Sequence, residues 1–297
     1  MECVELSKEM IFSRIIQGFW RLVEWNMTSE ELVRFMEQCI DLGVTTFDTA
    51  EIYSNGECER LMGEAFRKAP YLRNKVQIVS KTGIFKTERN GKLMGYYDTR
   101  YEHIIRSCKE SLSRLNCDYL DLYLIHREDP CIDHYEVGRA FQDLIAQGYV
   151  RGVGVSNFDP FKFDALQHAT GHLLCTNQIE VNPLCFDHFN SGMMDLLVKE
   201  KIHPMIWSPL CGGRIFTSQE EYAMSLRKTL AEIAERHTVG IDSIVYAWLL
   251  YHPVKALPIS GSRNIARLKN AVRGMEVHLT HNEWYEIYTA SGYQVLR

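Results

Sequence analysis

Three side chains with complementary proton chemistry close short apolar runs: Asp48 ends VTTFDT, Lys81 ends VQIVSK and His126 ends YLDLYLIH, while Tyr53 lies five positions beyond Asp48. A further run, VRGVGVSN, ends at Asn157. Runs that repeatedly terminate in a polar residue read as strands whose C-terminal ends share one rim, where Asp, Tyr, Lys and His can converge on one point. A phenol ionises at about pH 10, too high for a ready proton donor at neutral pH unless a cation stabilises the phenolate. Lys81 can be that cation, Asp48 would keep it charged, and His126 would hydrogen-bond a substrate oxygen and aim a carbonyl at Tyr53. The set suits proton transfer to a carbonyl. Each residue alone has a plainer use: Asp48 with Lys81 as an ion pair inside a barrel, His126 as a satisfied strand-end imidazole, Tyr53 as a loop aromatic. Their joint occurrence at successive strand ends favours a site.

The elements that must hold these residues alternate with short connections almost throughout. A strand over residues 15–19 precedes a helix running from a Thr28 to Glu31 capping box to a stop at Gly43. Strand 45–48 leads through Tyr53 into a helix over 57–68, and strand 76–81 follows. The polar stretch 82–98 breaks the rhythm and reads as a loop over the active rim. Thr99 and Glu102 then cap a helix reaching Leu115, strand 119–126 follows, and helices 135–147 and 161–168 flank strand 150–156. Strand 176–180, helix 193–201, strand 203–208, loop 209–217, helices 218–236 and 242–251, strand 254–259 and helices 265–273 and 282–291 complete the pattern. Strands alternating with helices in this way imply an α/β fold, a closed (β/α)8 TIM barrel built as one domain from residues 1–297. Within strand 119–126, a period of two puts Leu120, Leu122, Leu124 and His126 on the lumen face and turns Asp121 away. An open doubly wound sheet that bound a dinucleotide would be expected to carry G-x-G-x-x-G after an early strand; Gly152-Val153-Gly154 comes close, but Asn157 stands where the third glycine belongs.

Composition narrows the function classes. With 46% hydrophobic and 24% charged residues, the chain has ample core, and disorder is expected only at the ends. A net charge of -5, a pI near 6.1 and scattered Lys and Arg provide no basic field for nucleic acid. The opening MECVELSKEMIF lacks a signal pattern, and no apolar stretch approaches the roughly 20 residues of a membrane span, so a cytoplasmic protein with no membrane partner is expected. Nine cysteines without a C-x-x-C pair read as reduced, mostly buried thiols, and Cys211, before two glycines in a loop, is the one worth testing for reactivity. The histidines are dispersed with no metal-ligand spacing, so no metal is expected.

Taken in order, these segments resemble the aldo-keto reductases over nearly the whole chain. GVTTFDTAEIYSNGECERLMGEAF matches that family's first signature with Asp48, Tyr53, Glu59 and Gly63 in register. VSKTG at Lys81, YLDLYLIH at His126, GVSNF at Ser156 and Asn157, QIEVNP at Gln178, and WSPL at Trp207, Ser208 and Leu210 follow. The resemblance implies a monomeric barrel that binds NADPH across its C-terminal rim and reduces a small-molecule aldehyde or ketone by hydride transfer. Tyr53 would be the general acid, Lys81 its partner, Asp48 the support and His126 the orienting residue. Ser156, Asn157 and Gln178 would hold the cofactor's carboxamide, Trp207 would stack on the nicotinamide, and Ser208 and Leu210 belong to the same cofactor-binding segment. The family's adenosine-phosphate segment reads ISGSRNIARLKN here, with Ser262, Arg263 and Arg267 in place. Gly261 stands where a lysine is common and Ala271 where an asparagine is frequent, which weakens the grip on the 2′-phosphate and leaves NADH open; Asn270 is the residue expected to replace the lost adenine contact. The short tail GYQVLR implies an open pocket, walled by Phe19, Trp20, Trp25, Phe85 and Tyr96. Two rivals remain: an NADP(H)-binding regulatory subunit with weak turnover, like potassium-channel β subunits, and a Schiff-base enzyme using a neutral Lys81.

Overall fold

The computed structural model describes residues 2–7, 10–89 and 92–292. Its centre is a closed barrel of parallel strands: β1 Ile16–Gly18, β2 Thr46–Asp48, β3 Gln77–Thr82, β4 Leu122–Ile125, β5 Val153–Ser156, β6 Leu174–Glu180, β7 Met205–Trp207 and β8 Leu257–Ser260. Closure comes from β8 pairing with β1, with Ile259 opposite Ile16 and Ser260 opposite Gln17. Helices cover the outer face of the strands and the lumen side chains bury the inner one, so the strands read as near-continuous hydrophobic runs; every residue of β4 is buried. This is the (β/α)8 barrel expected from the strand-helix alternation.

Two cores follow from the two sides of the barrel wall. Ile16, Val79, Leu122, Leu124, Met205, Leu257 and Ile259 fill the lumen, while residues one step away, such as Ile78, Tyr123, Ile125 and Ile206, pack under the helices. Leu122 and Leu124 thus point inward as the period of two requires, and Asp121 points out to Arg73 at 2.9 Å. An N-terminal hairpin, Cys3–Ser7 with Met10–Ser13, adds Val4, Met10 and Phe12 to the lumen core; the sequence pattern had not announced it.

The barrel's second helix, Glu57–Lys68, lies against the third, Tyr101–Leu115, at a separation that only glycine allows. A Cβ on Gly63 would stand 2.0 Å from the Arg114 carbonyl oxygen. Beside it, buried Glu59 accepts from Ser80 Oγ at 2.5 Å and from Arg114 Nε at 2.6 Å, which ties both helices to β3.

Some expectations are corrected. Residues 82–98 are not a simple loop: Ile84–Arg89 and Lys92–Tyr97 pair as an antiparallel hairpin rising from the end of β3. The Thr28 to Glu31 capping box forms, whereas the one expected at Thr99 and Glu102 does not. Thr99 Oγ1 donates instead to Asp129 Oδ2 at 2.8 Å, and the first helical N–H, Tyr101, donates to Glu136 Oε1 at 3.1 Å. Acids from the next loop and helix satisfy the groups that a local cap would have taken. The stretch 209–217 contains a one-turn helix, Arg214–Thr217. Residues 293–297, on which the short-tail expectation rests, lie outside the described residues. Among the described residues, no helix is long and apolar enough to cross a membrane.

Candidate active site

The four candidate residues are delivered to the C-terminal rim by three strand ends, Asp48 and Tyr53 both following from β2. Asp48 closes β2, Lys81 is the penultimate residue of β3, and His126 follows β4, its backbone N–H donating to the Thr82 carbonyl at 2.8 Å. Tyr53 swings back over the rim because Ser54 and Asn55 adopt left-handed φ values of 49° and 56°, which turn the chain sharply into the next helix.

Lys81 is the hub. It is fully buried, and its Nζ donates to Asp48 Oδ1 at 2.7 Å, to the Thr49 carbonyl at 2.8 Å and to Tyr53 Oη at 3.1 Å. Three acceptors match the three protons of an ammonium, so the site is built for charged lysine. Burial pulls the ammonium's pKa down, but Asp48 and Tyr53 together outweigh it and leave Lys81 above the ordinary lysine value. A neutral, Schiff-base-forming lysine is therefore disfavoured. The Tyr53 and His126 rings meet edge to face, 5.7 Å apart.

The phenol behaves differently from the sequence expectation. Burial of the Tyr53 hydroxyl raises its pKa, and the lowering by Lys81 does not fully offset that rise. Tyr53 is a protonated donor across the neutral range. His126 goes the other way: burial first, then the positive charges of Lys81 and Arg127, hold its pKa well below the usual histidine value. The imidazole is neutral, and its Nδ1 has no hydrogen-bond partner within the protein.

A second network joins this group from β5, β6 and β7. Gln178 Nε2 donates to Asp48 Oδ2 at 2.8 Å, so both carboxylate oxygens of Asp48 are engaged. Ser156 Oγ donates to the Gln178 carbonyl at 2.8 Å, and Asn157 Nδ2 donates to Ser156 Oγ at 2.8 Å and to the His126 carbonyl at 3.1 Å. Trp207 Nε1 donates to Asn157 Oδ1 at 2.9 Å, which fixes an indole ring at the barrel mouth. Ser208 continues from it with φ 54° and gives its carbonyl to Asn182, and Leu210 packs against the outer core.

The segment after β8 forms a separate group. Ser262 Oγ accepts from the Asn264 N–H at 3.1 Å, and Asn264 caps the helix Ile265–Arg273 by accepting from the Ala266 N–H. Arg267 is exposed in the first turn of that helix. Gly261 has open space where a Cβ would stand. Arg263 is spent on the fold, its Nη1 donating to the Trp25 carbonyl at 2.8 Å. Asn270 is likewise engaged: its Nδ2 donates to Asp242 Oδ2 at 2.8 Å, so it is not a free replacement for the adenine contact.

The wall expected from aromatic residues is half right. Trp20 is exposed and lies 6.5 Å from Tyr53 ring to ring, and Phe85 packs on the exposed Tyr96 within the hairpin. Phe19 and Trp25 are buried with Phe35 and Phe47 in the outer core and line nothing. Cys211 is buried with Sγ 2.9 Å from Arg214 Nη2, and burial raises its thiol pKa more than Arg214 lowers it, which favours the thiol over the thiolate.

Against this geometry the comparisons are decisive. A model of the aldo/keto reductase family matches residues 14–291. The chain belongs to the aldo/keto reductase family. It is 45% identical to the Escherichia coli protein named oxidoreductase YdhF, over 96% of this chain and 95% of that one. It is 38% identical to a 6-dehydroglucose reductase of Agrobacterium fabrum, with 97% of each chain covered. Among solved structures, a thermostable aldo-keto reductase crystallised with the inhibitor epalrestat superimposes with a TM-score of 0.81 at 27% identity, covering 98% of this chain and all of that one. Membership makes this aldo/keto reductase an oxidoreductase-family enzyme with a small-molecule carbonyl substrate and a nicotinamide dinucleotide as the family's usual cofactor.

Three residues at this enzyme's rim were not singled out in the sequence. The Thr49 carbonyl is the third acceptor of Lys81. Glu51 accepts from the Gly83 N–H at 3.1 Å and from Ser107 Oγ, which ties the turn carrying Tyr53 to the chain leaving Lys81. Arg127 reaches across the mouth to Trp207. Position offered a signal for two of them, since Glu51 lies between Asp48 and Tyr53 and Arg127 follows His126.

Proposed function

We propose that this protein reduces an aldehyde or ketone to the alcohol with NADPH, with Tyr53 as the proton donor. The observation that carries the reading is the position of Lys81 Nζ, 2.7 Å from Asp48 and 3.1 Å from Tyr53 Oη. When bound, a nicotinamide dinucleotide would supply the hydride for the carbonyl carbon. Negative charge then develops on the carbonyl oxygen, and Tyr53 donates its proton there. His126, neutral, offers an N–H to the same oxygen and fixes the carbonyl's direction. Lys81 takes up the charge left on the phenolate, and Asp48 holds Lys81 in place.

The residues present fit a dinucleotide. Ser156, Asn157 and Gln178 form a polar cluster beside a half-buried Trp207 face, and exposed Arg267 sits at a capped helix N-terminus beside Ser262 and an uncrowded Gly261. Arg267 supports NADPH over NADH, because it is the one arginine of that segment not spent on another contact, among the described residues; NADH use remains compatible with the loss of lysine at Gly261. The chain would act as one domain, as a monomer in the cytoplasm. The likeness to a 6-dehydroglucose reductase supports a carbonyl on a polar carbon skeleton.

The test is NADPH oxidation with a panel of aromatic and aliphatic aldehydes, dicarbonyls and quinones, comparing the parent with Tyr53→Phe. Turnover should fall by at least about a hundredfold while NADPH binding is retained. A parent protein that binds NADPH and reduces nothing on the panel would instead point to the regulatory-subunit reading.

A further inference from the structure

One cation at the mouth has no part in the reaction just described. Arg127 follows His126 in the chain leaving β4, yet its guanidinium carbon lies 5.8 Å from the centroid of the Trp207 ring on β7, so the side chain lies across the barrel opening. Trp207 is held by Asn157, and Asn157 by the His126 carbonyl, which makes Arg127, Trp207, Asn157 and His126 a closed ring around the mouth. The guanidinium is close enough for its charge to contribute to the lowered pKa of His126.

The acids that could neutralise it are used elsewhere. Glu128 accepts from Lys162 Nζ at 2.5 Å and from the Asp159 N–H. Asp129 accepts from Thr99 Oγ1 and from the Cys131 N–H, both at 2.8 Å. Glu180, at the end of β6, feels Arg127 only at longer range and accepts from Asn182 Nδ2 at 3.2 Å. Among the described residues, no carboxylate lies within ion-pair distance of Arg127 and no acceptor receives its N–H groups. The guanidinium, held by its charge near the Trp207 ring, carries five N–H donors in one plane, in the fork that matches an oxyanion bidentately. Arg127 is half-buried and its N–H groups are not sealed from solvent, so the fork is open to a ligand entering the mouth.

We propose that Arg127 is a specificity-determining residue that receives an oxyanion on the substrate, so that the preferred substrates are aldehydes or ketones carrying a carboxylate or phosphate a few bonds from the carbonyl. This rests on the carbonyl-reductase reading above and adds the substrate class to it. The anion would pair with Arg127 while the carbonyl oxygen faces Tyr53 and His126. Glu180 would disfavour a second negative charge on the β6 side.

The experiment compares kcat/KM within matched pairs: 4-carboxybenzaldehyde with benzaldehyde, succinic semialdehyde with butanal, and glyceraldehyde 3-phosphate with glyceraldehyde. Charge-assisted hydrogen bonds predict that the acid exceeds its neutral partner by about 10- to 100-fold. In Arg127→Gln that ratio should fall toward one, chiefly through KM, and Arg127→Lys should restore part of it, since charge returns without the fork. The third pair separates phosphate from carboxylate preference. Neutral partners reduced as well as the acids by the parent enzyme would overturn the inference and leave the reductase reading intact. An NADPH dissociation constant weakened in Arg127→Gln as much as acid turnover would also overturn it, by assigning Arg127 to the cofactor. Calorimetry with 4-carboxybenzaldehyde and the NADP-loaded protein needs no turnover: binding that Arg127→Gln abolishes supports the inference even if the reductase reading failed, and no binding refutes it.

Discussion

Replacing Asp48 with Asn keeps the shape of the side chain and removes the charge that keeps Lys81 an ammonium. Asp48 Oδ1 accepts from Lys81 at 2.7 Å and Oδ2 from Gln178 at 2.8 Å. An amide has one oxygen, so in Asp48→Asn that oxygen can serve Lys81 only if the new NH2 faces Gln178, whose own amide must turn to present its oxygen; hydrogen bonds are then kept but the charge is lost. Lys81 is fully buried and Asp48 is 3% exposed, so water cannot substitute for the lost charge. Removing one partner of a buried pair costs about 3–5 kcal/mol, and at about 2–4 °C per kcal/mol for a large domain the midpoint should drop by roughly 6–20 °C. The pH dependence gives a sharper signature. In the parent, Lys81 has a raised pKa, so its stabilisation is present below the unfolded value of about 10.4 and is lost only above it, as pH rises through the folded value. In Asp48→Asn, burial becomes the dominant influence and the folded pKa falls below the unfolded one. The unfolded lysine then binds a proton that the folded one sheds, and stability must rise as pH increases from neutral toward about 10. Thermal scans across that range would measure both effects, and Asp48→Asn/Lys81→Met should recover part of the loss because no charge is buried. A single variant melting within about 2 °C of the parent, with no alkaline recovery, would refute the pair's charged state.

The other predictions are narrower. Gly63→Ala should destabilise by about 1–3 kcal/mol, because its Cβ would lie 2.0 Å from the Arg114 carbonyl oxygen; an unchanged urea midpoint would mean the two helices separate freely. With the His126 pKa held well below 6.5, kcat/KM for carbonyl reduction should show no imidazole limb at about pH 6–7, and a limb there that vanishes in His126→Gln would contradict its neutral state. The same depression means that stability falls as pH drops below about 6.5, where the unfolded imidazole takes up a proton the folded one refuses. Alcohol oxidation, the reverse reaction, should rise with pH through the alkaline range while reduction stays flat near neutrality; equal profiles in both directions would remove Tyr53 as the proton carrier.

What was legible in the sequence was whatever depends on the next few residues. The helix Ser29–Asp41 starts where Thr28 and Glu31 reciprocally cap it, since nothing nearby competes for either side chain. At Thr99 the same local logic fails because Asp129 and Glu136 arrive from elsewhere in the fold. The hairpin Ile84–Arg89 with Lys92–Tyr97 resembled a loop because it covers the rim rather than a core and so lacks a buried face; the Asn90-Gly91 pair between its two runs was the available signal. The four proton-handling residues were visible because strand ends in a parallel barrel all face the same rim. Phe19 and Trp25 misled because residue type says nothing about direction: both turn into the outer core, and Trp20 between them turns out. Arg127 went unnoticed since its meaning depends on Trp207, brought near only by barrel closure.

A phenol whose pKa is raised looks like a poor acid, yet the acceptor decides the matter. An alkoxide forming from the carbonyl is a base comparable to hydroxide, far stronger than a phenolate. Tyr53 can lie well above its ordinary value and still transfer its proton downhill, and the same rise keeps it protonated at neutral pH. Lys81 therefore need not drive the phenol's pKa below normal, as the sequence reading supposed. In the proposed reaction its position 3.1 Å from Oη would serve two other ends: fixing the hydroxyl's direction before proton transfer and stabilising the phenolate afterwards, with a cation that Asp48 and the Thr49 carbonyl already orient. In the reverse direction the site must begin with that phenolate, and burial now opposes it. If Tyr53 carries the proton, the same buried hydroxyl makes the two directions differ in pH dependence: reduction finds its donor protonated at neutral pH, and oxidation gains its phenolate only as pH rises.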